Sequence, residues 1–297
     1  MLKRAKLTNY SLDQWEGEFR DIFGSVDAKR SPEAMWLLMM EDAASLAEAI
    51  RLDKYGDAQR KIARVFGWTC SFVSRCRNVN FLRSRSPFYL ENSLSLIVWN
   101  KYPNVCSTCG QERCVCSVRR SEIEEMTRRE RDKRKAKMAA MLAAARSAKG
   151  RPRTLDGMTH MMGKIYNGAH FNLPIEAIAL HFIEEVGEVA SCIRKIRENQ
   201  NTKDVKVIHD LRHNLEEEIA DIISWTASAV LKLDYILGAS KWRKTSKGRQ
   251  SVGLKLSEIL WKEFSNPNGR YLWCRKCRHR PCSCQVANDD KQAPLSR

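Results

Sequence analysis

The stretch "PIEAIALHFIEEVGEVASCIR", residues 174–194, determines how the rest of the chain is interpreted. Its apolar residues recur at intervals of three and four, which is the period of a helix that buries one face. The same period runs through residues 215–230, and neither segment has the alternating pattern of a strand. The sequence therefore predicts an all-α fold. The apolar positions are Ile175, Ile178, Phe182, Val186, Val189, Ile193 and Ile196, followed by Leu215, Ile219, Ile222, Ile223, Thr226 and Val230.

The same stretch occurs a second time, in weaker form, near the beginning of the chain. "SPEAMWLLMMEDAASLAEAIR", residues 31–51, shares with residues 174–194 the E-A pair, an acidic pair and the final A-x-x-I-R. "KIARVFGWTCS", residues 61–71, then matches "EIADIISWTAS", residues 218–228. Because internal repeats mark repeated structural units, the sequence predicts two tandem helical bundles that pack together as a pseudo-dimer.

A basic segment, residues 117–153, joins the two copies. It contains thirteen Lys and Arg residues against five acidic residues, and its composition favours a long helix. The predicted domains are a first bundle with its cysteines over residues 1–116 and a second over residues 154–284, followed by a disordered tail, 285–297. The net charge of +17 predicts attraction to polyanions, which are either nucleic acid or the phosphates of nucleotides. For the linker helix, a solvated tether is the favoured role and nucleic-acid binding the alternative, because the basic residues are not interleaved with aromatic ones.

Each copy ends in four cysteines with the spacing C-x2-C-x4-C-x-C. Four thiolates suit a tetrahedral, structural Zn²⁺ site with no open position. An iron–sulfur cluster uses the same ligands and remains the alternative. Cys70, Cys76 and Cys192 lie on apolar segments and are predicted to be packed thiols. The two sets are Cys106, Cys109, Cys114 and Cys116, and Cys274, Cys277, Cys282 and Cys284.

Two pairs of acids in the second copy are spaced for metal binding. Glu185 and Glu188, and likewise Glu218 and Asp221, lie three residues apart on predicted helices, so the two carboxylates of each pair project from nearly the same side. If the apolar faces of the helices pack together, the pairs can face one another. Hard oxygen ligands of this kind suit Mg²⁺ or Mn²⁺. Ordinary solvated acidic faces are the alternative.

The order E-x-x-E, a loop, and E-x-x-D on consecutive helices resembles the MazG-like all-α nucleoside triphosphate pyrophosphohydrolases. "HFNLPIEAIALHFIEEVGEVAS" and "EEEIADIISWTASAVLKL" look like their second and third helices, and "YPNVCSTCGQERCVC" looks like a cysteine tail of some members. The resemblance covers most of residues 154–284 and, in degraded form, residues 7–116. It implies cleavage between the α and β phosphates, giving a nucleoside monophosphate and pyrophosphate, in nucleotide-pool control or phage defence. The implied metal ligands are Glu185, Glu188, Glu218 and Asp221.

Other residues are candidates for the remaining roles at such a site. Glu184 is a candidate for orienting the attacking water, beside the catalytic and metal-binding Glu185. Lys241 and Arg243 follow the third helix and are candidates for contacting the triphosphate, with a surface basic cluster as the alternative. The resemblance also implies a base-contacting role for two residues before the second helix, His170 and Asn172. A helix cap is the competing explanation for Asn172.

The first copy departs from the carboxylate pattern, because three of its four aligned positions are not acidic. A cation at such a position occupies the space of a metal ion and repels one. The first bundle is therefore predicted to keep its shape without the chemistry. Trp68 and Trp225 are predicted to be core residues, since both copies keep them. The aligned residues are Asp42, Ser45, Lys61 and Arg64.

The chain has no apolar run long enough for a membrane span, and the basic N-terminus lacks the apolar stretch of a secretory signal. We therefore expect a cytoplasmic protein with a nucleotide substrate and no membrane partner; a homo-oligomer or protein partner remains open. The competing hypothesis is a zinc-containing module that binds nucleic acid or protein and is built on a retired enzyme. Retention of all four acids in only one copy favours the enzyme.

Overall fold

The structure is a computed structural model of the chain and describes residues 9–78, 86–116, 127–147, 150–166, 169–238, 241–245 and 248–284. Within these ranges the chain forms nine helices and one two-stranded hairpin. The elements are α1 (Leu12–Asp27), α2 (Pro32–Arg51), α3 (Tyr55–Cys76), α4 (Leu94–Lys101), α5 (Arg128–Ser147), α6 (Leu155–Tyr166), α7 (Ile175–Glu198), α8 (Val205–Ile236), β1 (Lys241–Thr245), β2 (Gly248–Val252) and α9 (Leu256–Phe264).

The prediction of a mostly helical protein is confirmed, with one exception. β1 and β2 pair antiparallel between α8 and α9, with Lys241 opposite Val252 and Arg243 opposite Gln250. The hairpin is not predicted by the sequence, because the segment is dominated by Lys, Arg, Ser and Gly and lacks an alternating apolar face. All the apolar positions predicted to form the helix stripes of α7 and α8 are buried.

Side-chain caps fix where several of the helices begin. Ser11 accepts a hydrogen bond from the Gln14 amide while the Gln14 side chain accepts one from the Ser11 amide, which is a capping box at the start of α1. Ser31 caps α2 just before Pro32, and Asp204 accepts two amide hydrogen bonds at the start of α8. These caps satisfy amides that the helices leave without an internal partner.

The order of elements in the N-terminal half (residues 9–116) recurs in the C-terminal half (residues 150–284). In each half a first helix is followed by two long helices packed on each other, then by a short helix and a cysteine cluster. The two halves share one continuous core, in which α2 packs against α7. The indole N–H of buried Trp36 donates to the carbonyl of Val186 at 3.0 Å across this contact. The halves are therefore joined by their second helices.

Each short helix also bridges the two halves. α4 packs against α1 of its own half and α8 of the other, whereas α9 packs against α6 of its own half and α3 of the other. Equivalent carboxylates bind the first turns of these two short helices. Asp13 accepts from the Ser95 amide of α4 at 2.8 Å, and Asp156 accepts from the Ser257 amide of α9 at 3.2 Å. This arrangement brings the end of α4 onto α8.

The predicted basic helix of the linker is present as α5, over Arg128–Ser147. It is attached to the N-terminal half, because Trp99 donates its indole N–H to the Arg146 carbonyl and Arg146 donates to the carbonyl of Asn100. Residues 117–126 and the predicted disordered tail, 285–297, lie outside the described residues. None of the helices in the described ranges combines the length and the apolar composition needed to cross a membrane.

Trp36→Ala should strongly destabilise the protein, because it empties a fully buried position between α2 and α7 and removes the hydrogen bond to Val186. We expect a loss of about 3–5 kcal/mol in the free energy of unfolding, measured by chemical denaturation. Leu37→Ala, at the neighbouring and 62% exposed position, is the control and should change stability by less than about 0.5 kcal/mol. Equal effects of the two substitutions would contradict this packing.

Candidate metal centres

Three carboxylates from two helices meet in the C-terminal half. Glu185 lies in the middle of α7, and Glu218 and Asp221 lie one turn apart on α8. Each residue contributes a carboxylate oxygen, and these oxygens all lie within 4.8 Å of one another. The acids come together because α7 and α8 pack by their apolar stripes, which these residues border. We call this group the carboxylate cluster.

Burial and mutual repulsion make this cluster costly to ionise. Burial, followed by the charges of Asp221 and Glu188, raises the pKa of Glu185 to about 8. Burial also raises the pKa of Glu218 to about 7, although Lys101 opposes the increase. The Oε2 atom of Glu185 is buried and has no hydrogen-bond partner within the described part of the chain. A cation among these oxygens would relieve both the repulsion and the missing contact.

Lys101 and Tyr102, at the end of α4, contact the cluster from the other half. The Lys101 ammonium lies 2.5 Å from Oδ2 of Asp221 and also donates to the carbonyl of Glu217. The Tyr102 hydroxyl donates to the second oxygen of Asp221. Burial disfavours the charged form of Lys101, but the charge and hydrogen bond of Asp221 together with the charges of Glu217 and Glu218 outweigh burial and leave the lysine pKa raised. The site is thus assembled from both halves.

A stack of aromatic rings supports Glu185. Trp225 donates its indole N–H to Oε1 of Glu185 at 3.0 Å. His170 and His181 stack on the indole, with ring centroids 4.1 and 4.7 Å away, and Tyr166 stacks on His170 at 4.2 Å. The prediction of Trp225 as a plain core residue is therefore incomplete, because its polar edge positions one of the acids.

The remaining predicted acids lie outside the cluster. Glu188 is exposed and lies near Glu218, whose pKa its charge helps to raise, so it lies at the open side of the group. Glu184 is exposed and lies 3.0 Å from the ring nitrogen of His181. The structure does not bring Glu184 to the cluster, because consecutive residues of a helix point about 100° apart.

The two predicted base-contacting residues lie near the beginning of α7. Both faces of the His170 ring are covered by Tyr166 and Trp225, so a base can reach only its edge. Burial, followed by the nearby His181, lowers the pKa of His170 to about 4, which keeps the ring neutral at pH 7. The helix-cap interpretation of Asn172 is wrong, because the N-cap residue of α7 is Pro174.

A cavity of about 370 Å³ lies beside this ring stack, between α6 and α8. Its lining includes His170, Ser228, Lys232 and Tyr235. Ser228 lies two turns beyond Asp221 on the same face of α8, a separation of about 10 Å along the helix. Such a distance suits a ligand that reaches from the carboxylate cluster to the cavity.

The predicted triphosphate-contacting residues, Lys241 and Arg243, lie on β1 of the hairpin. Their side chains are outside the described part of the structure. Their position after α8 agrees with the sequence, and their proposed contact remains a prediction.

The corresponding position in the N-terminal half is held by ion pairs. Asp42 accepts from the Lys61 ammonium at 3.1 Å and from the indole N–H of Trp68 at 3.1 Å, and the Arg64 guanidinium lies 3.3 Å away. The Trp68 bond to Asp42 has the same form as the Trp225 bond to Glu185. Lys61 and Arg64 therefore neutralise Asp42, which is the one acid at the four positions aligned with the carboxylate pairs.

The eight clustered cysteines form two compact groups. All are free thiols, and in each group the four sulfur atoms lie within 4.8 Å of one another. The Sγ atoms of Cys106 and Cys114 are 3.6 Å apart, and those of Cys277 and Cys282 are 3.7 Å apart. Tetrahedral ligands at about 2.3 Å from one zinc ion stand about 3.8 Å apart. Each group can therefore hold one metal ion. Cys70, Cys76 and Cys192 are buried thiols elsewhere, as predicted.

Each cysteine cluster is fixed to the first helix of the opposite half. The Cys114 amide donates to the carbonyl of Ile165 on α6, and the Cys282 amide donates to the carbonyl of Ile22 on α1, both at 2.6 Å. The first cluster also adjoins the carboxylate side, because Tyr166 lies beside Cys106 and packs edge-to-face on Tyr102, with ring centroids 5.9 Å apart.

Sequence reasoning missed Lys101, Tyr102 and the polar role of Trp225. The pairing of Trp225 with Glu185 has a signal in the repeat, because Trp68 and Asp42 are kept together in the first copy. No local signal marks Lys101, which reaches the cluster only through the packing of α4 on α8. Comparisons of the chain with protein-family profiles, curated proteins and solved structures returned no match.

One metal ion should be bound by each cysteine cluster. Metal analysis by mass spectrometry of protein purified without added metal should give close to two ions per chain, and Cys114→Ser should lose one of them. Cys192→Ser, at a packed thiol outside both clusters, is the control and should keep both. Retention of two ions by Cys114→Ser, or loss of one by Cys192→Ser, would contradict the assignment.

Lys101→Met should destabilise protein that has no metal ion in the carboxylate cluster, because the cluster loses its nearest positive charge. We expect a loss of about 3 kcal/mol, with Mn²⁺ raising the melting temperature of the variant more than that of the wild type. Thermal denaturation with and without Mn²⁺ measures both effects. Lys137→Met, at an exposed position of α5, is the control for removing one positive charge. An identical Mn²⁺ response in the wild type and Lys101→Met would show that Lys101 does not serve as counter-charge.

Proposed function

We propose that the chain is a metal-dependent nucleoside triphosphate pyrophosphohydrolase similar to the MazG-like all-α enzymes. The proposal rests above all on the convergence of carboxylate oxygens of Glu185, Glu218 and Asp221 within 4.8 Å, with one oxygen of Glu185 having no hydrogen-bond partner among the described residues. These acids belong to the E-x-x-E and E-x-x-D pairs on consecutive packed helices that motivate the family resemblance. The reaction gives a nucleoside monophosphate and pyrophosphate.

The residues present fit a hard divalent cation. The donors are carboxylate oxygens alone, which suit Mg²⁺ or Mn²⁺ rather than a thiophilic metal. Glu185, Glu218 and Asp221 would hold the ion, and the exposed Glu188 would complete the set at the open side. When bound, such an ion lowers the pKa of a water molecule and neutralises phosphate charge.

The chain's own residues orient the cluster for this task. The Trp225 indole fixes one oxygen of Glu185 and so leaves the other directed toward the remaining acids. Lys101 and Tyr102 fix both oxygens of Asp221. Lys101 also places a positive charge where a phosphate oxygen would approach, which favours the negatively charged substrate before and during phosphoryl transfer.

The cavity between α6 and α8 is the proposed place for the nucleoside. It borders the ring stack that holds Glu185, and Ser228 and the edge of neutral His170 offer polar contacts there. Lys232 is held by the carbonyl of Phe171 at 2.8 Å and adds a positive charge to the wall. A triphosphate extending about 10 Å along α8 would reach from this cavity to the carboxylates.

The remaining parts of the chain are proposed to serve the architecture of this enzyme. The two halves are proposed to form a pseudo-dimer of tandem bundles. This is supported by the recurring order of elements and by the packing of α4 and α9 against the opposite half. The cysteine clusters are proposed to be single-ion zinc sites, since sulfur separations of 3.6–3.8 Å match one ion better than ligands spread over several irons. We propose a cytoplasmic location, where thiols stay reduced.

Incubation with a nucleotide panel and Mg²⁺ should give a monophosphate and pyrophosphate in equal amounts. Glu185→Gln and Asp221→Asn should each reduce the rate by about 10² or more, because each removes a charge that holds the cation. Chromatographic resolution of the products measures both the rate and the bond that is cleaved.

Glu176→Gln is the matched control for this test. It removes the same charge from α7, but its position is exposed and lies on the opposite side of the helix from Glu185. It should retain the wild-type rate. Formation of diphosphate and phosphate would contradict the proposed bond, and wild-type rates in Glu185→Gln would contradict the proposed site.

A further inference from the structure

A second cavity lies between the two halves and is lined by residues that do not belong to the carboxylate cluster. Its volume is about 470 Å³, within the range of about 300–1,000 Å³ typical of small-molecule sites. Its walls come from α1 and α3 of the N-terminal half and from α9 and the second cysteine cluster of the C-terminal half. We propose that this cavity binds a nucleoside phosphate without a metal ion. The proposal is independent of the hydrolysis described above.

Four cations and one acid line the cavity. Arg30, Arg64, Arg275 and Lys276 contribute positive charge, and Glu263 is the opposing carboxylate. Arg275 is paired with Glu263 at 2.7 Å. Arg30 is paired with Asp27 at 2.9 Å, and Arg64 contacts Asp42 at 3.3 Å. Lys276 adds a positive charge that no acid among the described residues pairs with, and this excess favours an anion over a cation.

Two of these cations retain donors for a ligand. Arg64 uses its Nε in the contact with Asp42 and makes no other hydrogen bond within the described residues, so its terminal nitrogens are available. Lys276 is exposed and has no partner in the described part of the chain. Guanidinium and ammonium groups together suit the several oxygens of a phosphate chain.

The second cysteine cluster supplies cations where the first has none. Arg275 and Lys276 occupy the loop between Cys274 and Cys277, and the matching loop of the first cluster contains Ser107 and Thr108. The positive pair thus belongs to the cluster that adjoins the cavity, and the neutral pair to the cluster near the carboxylates. Cations that the other copy lacks are thus found on two separate elements, α3 and the loop of the second cysteine cluster. This is expected if one ligand contacts both elements.

The apolar wall of the cavity suits a base. Phe23, Val26 and Phe264 line it together with half-buried Trp68. The counterpart of this indole, Trp225, is covered by two histidine rings, whereas Trp68 makes no contact with another aromatic ring among the described residues. The Arg30 guanidinium lies 5.6 Å from the Trp68 ring centroid. An aromatic surface beside the available donors of Arg64 and Lys276 matches the two ends of a nucleotide.

Isothermal titration calorimetry of the full chain tests this site. The probes are α,β-methylene adenosine and deoxythymidine triphosphates, which resist cleavage, in buffer freed of divalent ions without added chelator. The wild type should bind at least one of them under these conditions. Arg64→Gln and Lys276→Gln should each weaken binding about tenfold or more, since each removes a charge-assisted contact. Because Lys276 is exposed, its substitution keeps the test valid even if Arg64→Gln perturbs folding.

Lys262→Gln, at an exposed position of α9 outside the cavity lining, is the matched charge control and should bind as the wild type does. Absence of metal-free binding in the wild type would overturn the proposal. So would equal affinities in the wild type, Arg64→Gln and Lys276→Gln. Pyrophosphate binding as tightly as either nucleotide would overturn the assignment of the aromatic wall to a nucleoside.

Discussion

The gathering of Glu185, Glu218 and Asp221 in a half-buried position is the constraint on which the other features of the structure depend. Burial removes water from these carboxylates and their charges repel one another, and for these reasons the pKa values of Glu185 and Glu218 are raised to about 8 and about 7. Two neighbours reduce the cost: Trp225 donates to Glu185, and Lys101 forms an ion pair with Asp221. Neither neighbour supplies as much charge as the acids carry, so the arrangement favours a further cation.

The packing of α4 on α8 connects this site to the whole chain. Lys101 belongs to the N-terminal half, and it reaches Asp221 only because the short helix of that half lies against the third helix of the other. The reciprocal contact places α9 against α3, where Arg64 and Glu263 line one cavity. At one contact the acid, Asp221, is on α8 and the cation, Lys101, is on α4. At the other contact the cation, Arg64, is on α3 and the acid, Glu263, is on α9. In the proposed pseudo-dimer, the two equivalent places have diverged in charge while keeping the same packing.

Much of the fold is readable from the sequence, and the site is readable only in part. Apolar spacing predicts α7 and α8, because burial of one face is a local property of a helix. The acid pairs on these helices are found from spacing as well, and three of the four acids converge. Lys101 and Tyr102 escape prediction because their role depends on packing between segments more than 100 residues apart. The hairpin that contains Lys241 escapes because strand pairing, not an apolar pattern, defines it.

The most direct test of the account is a titration of the metal-free carboxylate cluster with Mn²⁺, followed by electron paramagnetic resonance. The cysteine clusters should keep their own metal during the experiment, so that only hard-ligand sites take up manganese. The account predicts saturable Mn²⁺ binding by the wild type that is lost or weakened about tenfold or more in Glu218→Gln, with the fold retained. Undiminished Mn²⁺ binding by Glu218→Gln, or no saturable binding by the wild type, would contradict the claim that these acids converge to hold a cation.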